Sequence, residues 1–235
     1  MYENTRQITI AQARQEASSI FLAKVFNWMA MGLGLTGVIA YLTASTGLAR
    51  AIVGSPLFMV LLFAELGLVF YLSARIDKIQ ASTAAALFVG YSAMNGVTLS
   101  AVFLAYTSSS IAGTFFITAG MFGAMALYGM VTKRDLSGLG SFLFMGLIGI
   151  IIASIVNIFL GNSGLGWMIS VLGVFIFTGL TAYDVQKIKT MGEEGILEQG
   201  EAAVKKGSII GALALYLDFI NLFLMLLRFF GGSRD

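Results

Sequence analysis

Apolar residues gather into seven stretches at roughly 25–45, 56–74, 81–106, 111–131, 139–160, 165–186 and 208–230, each near the ~20 residues that cross ~30 Å of hydrocarbon as a helix. The third is long enough to tilt or to extend beyond a bilayer. Polar connections separate them, with Gly, Ser or Asn at most, as in Gly54-Ser55-Pro56 and at 108–110 and 161–166. No linker, low-complexity tract or internal repeat interrupts the pattern. It predicts one domain, an all-α integral membrane protein of seven transmembrane helices over 25–231, with tails at 1–24 and 232–235.

Polar residues inside those stretches carry the chemistry. The last span, SIIGALALYLDFINLFLMLLRFFG, holds Asp218 at its centre and Arg228 ten residues later. A carboxylate at the middle of a membrane helix costs ~2.5–3.5 kcal/mol on insertion scales, so a chain that keeps one pairs it or uses it. Glu65 lies within the second span, Arg75 closes that span, and Asp184 ends the sixth in GLTAYDVQKIK. End-of-helix residues such as Asp184 and Arg75 can also reach the interface by snorkelling. Glu65 and Asp218 sit too deep for that, ~15 Å from the inner ends of their helices at 1.5 Å per residue.

Spacing relates the charges. Glu65 stands ten residues from Arg75, and Asp218 ten residues from Arg228, with the signs reversed on antiparallel helices. Neighbouring helices would place Arg75 by Asp218 at an inner level and Glu65 by Arg228 at an outer one, leaving neither charge buried alone. Asp184 near the inner level would make a site of two carboxylates and one arginine. Two acids in contact cannot both ionise cheaply, so such a pair titrates as a unit. Counted from its inner end, Asp218 is the deeper of the two, so contact requires the seventh helix to begin below the membrane surface.

Asn221 lies one turn from Asp218 on the same face, and Tyr216 and Tyr183 flank the acids. Asn221, Asn95, Asn157, Thr98 and Ser100 are candidates for lining a pathway, with interhelical hydrogen bonding as the other explanation. Gly120 with Gly123, and Gly146 with Gly149, are read as permitting close helix approach. The acidic stretch GEEGILEQGE reads as a solvated connector, with partner binding as its alternative.

Composition narrows the function classes. The chain has 235 residues, 58% hydrophobic and 11% charged, far from the balance of a soluble domain. It contains no Cys and no His, which removes disulfides, thiolate and imidazole chemistry and the commonest metal ligands. Proton chemistry is left to carboxylates. A net charge of +2 gives no footprint for nucleic acid. With seven spans, eleven of the fourteen basic residues fall on the side of the N-terminus, which predicts a cytoplasmic N-terminus and an extracytoplasmic C-terminus. The first apolar run begins about two dozen residues in and is too long for a signal-peptide core, so a cleaved leader is not expected. The tail ITIAQARQEASSIF is read as solvated or as a short amphipathic helix on the inner surface.

The runs LYLDFINLFLMLLRFFG, TAYDVQKIK and TAGMFGAMALYGMVTKRDLS resemble the Bax inhibitor family, also called the transmembrane Bax inhibitor motif family. The likeness covers nearly the whole chain from about Val25 and looks like that of a bacterial member of an inner membrane. It implies two layers of three helices around a central C-terminal helix. It also implies a pH-sensitive calcium leak channel, with Asp184 and Asp218 as a hydrogen-bonded pH sensor and Arg75 as the latch of the closed state. Glu65 and Arg228 would be its outer acid and base.

The leading expectation is therefore a proton-gated cation leak. No cofactor is expected; calcium is the transported ion, in contact with Asp184 and Asp218, and the lipid bilayer is the surrounding partner. The alternative is an interaction protein that modulates a membrane-bound ATP-dependent protease or a stress response without conducting ions. Two intramembrane aspartates also invite comparison with aspartyl proteases of the membrane. The setting LYLD is not the Gly-x-Gly-Asp of that family, and the only proline is Pro56, so no enzyme is expected.

Overall fold

A computed structural model describes residues 2–232, with side chains from residue 12 onward. Its order is α1 (Tyr2–Ser45), α2 (Leu48–Val53), α3 (Pro56–Arg75), α4 (Ala81–Leu99), α5 (Val102–Ala105), α6 (Ser108–Val131), α7 (Ser137–Leu160), α8 (Ser163–Glu193), a 3-10 turn (Ile196–Gln199) and α9 (Glu201–Phe230). No strand forms among the described residues. Among the described residues, seven segments are long and apolar enough to cross a membrane: Gln12–Ser45, Pro56–Arg75, Ala81–Ala105, Ser108–Val131, Ser137–Leu160, Ser163–Glu193 and Glu201–Phe230. This is an all-α membrane protein. The apolar outer faces, such as Phe63 on α3 and Phe159 on α7, suit lipid contact.

The chain divides into two compact units. Unit 1 comprises residues up to Ala105 with Lys187–Tyr216, and unit 2 comprises Tyr106–Gln186 with residues from Leu217 onward.

In unit 1, α1 is longer than the apolar run that predicts it. Ser18, Phe21, Leu22, Val25 and Met29 are buried at three- and four-residue intervals, so one helical face continues from the tail into the span. Gly192 makes room for it: a Cβ there would sit 2.5 Å from the Ser18 Cα. The residues expected as a solvated connector are mostly ordered helix. α8 runs on to Glu193, and Gly195 and Gly200, at φ 87° and 90°, bracket the 3-10 turn in a region that side-chain-bearing residues avoid. Ile196 of that turn is buried, close to Gly207 of α9. The third span ends at Ala105, close to the expected 106, but is broken inside: α4 stops at Leu99 and the four-residue α5 completes it.

In unit 2, α6 starts at Thr107, whose hydroxyl accepts from the Ser110 amide at 3.3 Å. The glycines that allow close helix approach differ from those read in the sequence. Gly120, Gly123 and Gly149 have open space where a Cβ would go. Gly129 instead lies against the Ala182 carbonyl, and Gly173 faces Met225, where a Cβ would be 2.8 Å from Cγ. Gly146 does meet a neighbour, with Ile176 Cδ1 at 2.9 Å from a Cβ there. Glycine spacing says that two helices could approach, whereas the facing residue decides whether they do.

Candidate functional site

Unit 2 holds the acids. Asp218 of α9 is only 4% exposed, and its carboxyl is hydrogen-bonded to that of Asp184 on α8. Its other oxygen, Oδ2, is buried with no hydrogen-bond partner. Close packing fixes the Asp184 segment. The Ala182 carbonyl lies on Gly129 of α6, and the Tyr183 ring lies over Gly140 of α7, where a Cβ would be 2.5 Å from the ring. Two residues beyond Asp184, Gln186 donates to the Arg134 carbonyl at 2.8 Å and accepts from the Leu136 amide at 2.8 Å. In that connection Asp135 accepts from the Ser137 amide at 2.9 Å, and its hydrogen bonding with Ser137 holds its carboxyl below the ordinary aspartate range.

Apolar side chains surround the acids. Phe219 meets the rings of Phe115 and Phe122 edge-on, at centroid distances of 5.4 and 5.5 Å. Leu143, Phe177, Leu180, Leu222 and Leu226 form a buried cluster, with Tyr183 and Met225 packed on it. Asn221 donates to the Leu217 carbonyl of its own helix at 2.8 Å. Arg228 finds neutral partners: it donates to the Gly166 carbonyl at 3.1 Å and to Ser170 Oγ at 3.3 Å. Asn157 closes the end of α7, its side-chain oxygen accepting from the Asn162 amide at 3.1 Å.

Unit 1 holds Glu65, 7% exposed, on α3. Its partners are also neutral. Asn95 Nδ2 donates to Oε2 at 3.1 Å, and Thr98 Oγ1 lies 2.8 Å from Oε1. Asn95 Oδ1 accepts from the Tyr216 hydroxyl at 3.1 Å, and Tyr216 is 2.7 Å from the Thr36 hydroxyl. Arg75, in the last turn of α3, has an exposed side chain. The arrangement expected for the buried charges was acid against base. Within their own units, Glu65 meets amide and hydroxyl groups and Arg228 meets a carbonyl and a hydroxyl.

Among the described residues no three acidic side chains gather as a metal cage. Two carboxyls fall well short of the six to eight oxygens that calcium takes.

The sequence compares with known proteins over nearly its full length. Residues 18–235 match the family described as "Inhibitor of apoptosis-promoting Bax1". The chain belongs to the Bax inhibitor family. Among similar proteins, the inner membrane protein YbhL of Escherichia coli (strain K12) is 50% identical over 231 residues, which cover 97% of this chain and 98% of that protein. A protein of Borreliella burgdorferi is 49% identical over 232 residues, covering 97% of this chain and 99% of its own. The Rickettsia prowazekii protein RP147 is 43% identical over 239 residues, spanning 100% of both chains.

For this Bax inhibitor family member, sequence reasoning found Asp184, Asp218, Glu65 and Arg228 by their charge. It overlooked Thr36. The signal was present, since Met29, Thr36 and Thr43 are buried at seven-residue intervals on α1. A lone threonine in an apolar run is ordinary in a membrane helix and draws no notice by itself.

Proposed function

We propose that this Bax inhibitor family protein is a pH-sensitive leak channel for cations, calcium foremost, whose gate is the contact between Asp184 and Asp218. The observation that carries the reading is the buried Asp218 carboxyl, hydrogen-bonded to a second acid and with an oxygen to spare. A hydrogen bond between two carboxyls needs a proton between them, because an ionised carboxylate only accepts. Loss of that proton leaves two like charges in contact. At ~4 Å and an effective dielectric of ~20 their repulsion is about 4 kcal/mol, close to a thousandfold change in a conformational equilibrium. That is enough to alter how α8 packs on α9, and packed interfaces shift between discrete arrangements rather than deforming smoothly.

Calcium is the substrate of this reading and not a resident ion. Deprotonated carboxylates supply hard oxygen ligands, and a pair of them binds weakly enough to let the ion leave. The chain would carry out no covalent reaction. Placement in an inner membrane is supported by the name of the relative YbhL and by the seven apolar helices. An N-terminus on the cytoplasmic side is supported by the distribution of Lys and Arg.

Purified protein in liposomes loaded with a calcium dye tests the reading. Flux that varies with external pH, above that of empty liposomes, is the expected result. Liposomes that leak no more calcium than empty ones, with the protein shown to be folded, would overturn it in favour of the interaction-protein alternative.

A further inference from the structure

Thr98, beside Glu65, has two acceptors within reach of its one hydroxyl hydrogen. Thr98 Oγ1 is 2.8 Å from Glu65 Oε1 and 3.0 Å from the Asn95 carbonyl oxygen. A threonine hydroxyl has a single proton to donate. With Glu65 ionised, that proton is divided between two acceptors. With Glu65 as a carboxylic acid, both contacts are made in full: Oε1–H donates to Thr98 Oγ1, and Thr98 donates to the Asn95 carbonyl. The Asn95 amide reaches Oε2 at 3.1 Å in either state.

Glu65 is 7% exposed, and among the described residues of unit 1 no Lys or Arg lies within ion-pair distance of it. An ionised carboxylate buried in that setting carries a desolvation penalty that neutral donors offset only in part. Few titratable groups face the site. α4 contributes Tyr91, α9 contributes Tyr216 through Asn95, and α2 carries Arg50, whose side chain is exposed. α1 contributes Thr36, whose hydroxyl lies 2.7 Å from that of Tyr216 and 2.8 Å from the Ser92 carbonyl oxygen. None of these is a buried cation.

We propose that Glu65 is a proton-binding site in its own right, separate in residues and in titration from Asp184 and Asp218. On release, the Oε1–H proton departs and the carboxylate remains. Thr98 then turns its hydroxyl from the Asn95 carbonyl to Oε1, so one hydroxyl rotation accommodates both states with the backbone at rest. Asn95 is a positioning residue, held by Tyr216, and Thr98 is the switch. None of this depends on whether the aspartates gate an ion path.

Infrared spectroscopy on the full chain, labelled with 13C at glutamate carboxyls, reads this site alone. The spectrum is taken at pH 7. One glutamate-specific protonated carboxyl band is expected there. It should vanish in Glu65→Gln, shift in frequency in Thr98→Val, and stay in place in Asp218→Asn. Absence of the band from the wild-type protein at pH 7, or its survival in Glu65→Gln, would overturn the assignment. An unmoved band in Thr98→Val would remove the switch, and loss of the band in Asp218→Asn would remove its independence. Because the label excludes aspartate, failure here leaves the leak reading standing, and the reverse also holds.

Discussion

Asp218 and Asp184 meet carboxyl to carboxyl, α9 to α8, among phenylalanine and leucine side chains, and Asp218 Oδ2 has no partner there. The arrangement is sensitive to what replaces either acid. Asp218→Asn keeps a donor for Asp184 and should unfold within a few degrees of the wild type. Asp218→Leu removes the buried hydrogen bond between the acids, a loss of about 1–3 kcal/mol. Thermal unfolding in detergent separates the two. Equal stability of Asn and Leu variants would mean that the hydrogen bond holds nothing together.

The segment bearing Asp184 is set by contact with backbone. Gly129→Ala would drive a Cβ into the Ala182 carbonyl, with the Ala182 Cα and C both 3.1 Å away, so no flexible side chain can yield. A loss of about 1–3 kcal/mol is expected from such overpacking. Gly120→Ala, with nothing within 4 Å, is the control on the same helix and should be neutral or slightly stabilising. Melting temperatures of the two variants check this directly.

Asp135 gives a prediction with a pH sign. Hydrogen bonding with Ser137 lowers the carboxyl's pKa in the folded state, so its support for the start of α7 is present above the unfolded value of ~3.9. It is lost as pH falls through the lower, folded value. Hydrogen exchange at the Ser137 amide should therefore be faster in Asp135→Ala than in the wild type at neutral pH. The difference should close on acidification, once exchange rates are corrected for pH. A gap that stays constant through the acid range would contradict it.

Much of the architecture is legible in the chain because hydrocarbon imposes a simple rule: about 20 apolar residues per crossing. Asp218 stands out for the same reason, as a charge where that rule forbids one. The helix ends are less legible. The tail before residue 25 looks solvated by composition, yet Ser18, Phe21, Leu22 and Val25 share one buried face that only periodicity reveals. The acidic connector looks like a loop, yet Ile196 and the paired glycines fold it into a tight turn between two long helices.

The polar partners were the least legible part. Ten-residue spacing of opposite charges points to ion pairs for Glu65 and Arg228 and gives no sign of the neutral groups that each meets within its own unit. Asn95, Thr98 and Tyr216 carry no charge, so nothing in a charge pattern marks them. Their role appears only when the hydrogens are counted.

The most direct test of the leak reading is calcium flux into liposomes, followed across pH for the wild type, Asp184→Asn, Asp218→Asn and the double variant. Acids that share one proton act as a unit, so each single substitution should flatten the pH dependence as fully as both together. A folded Asp218→Asn protein that keeps the wild-type flux and its pH profile would contradict the account.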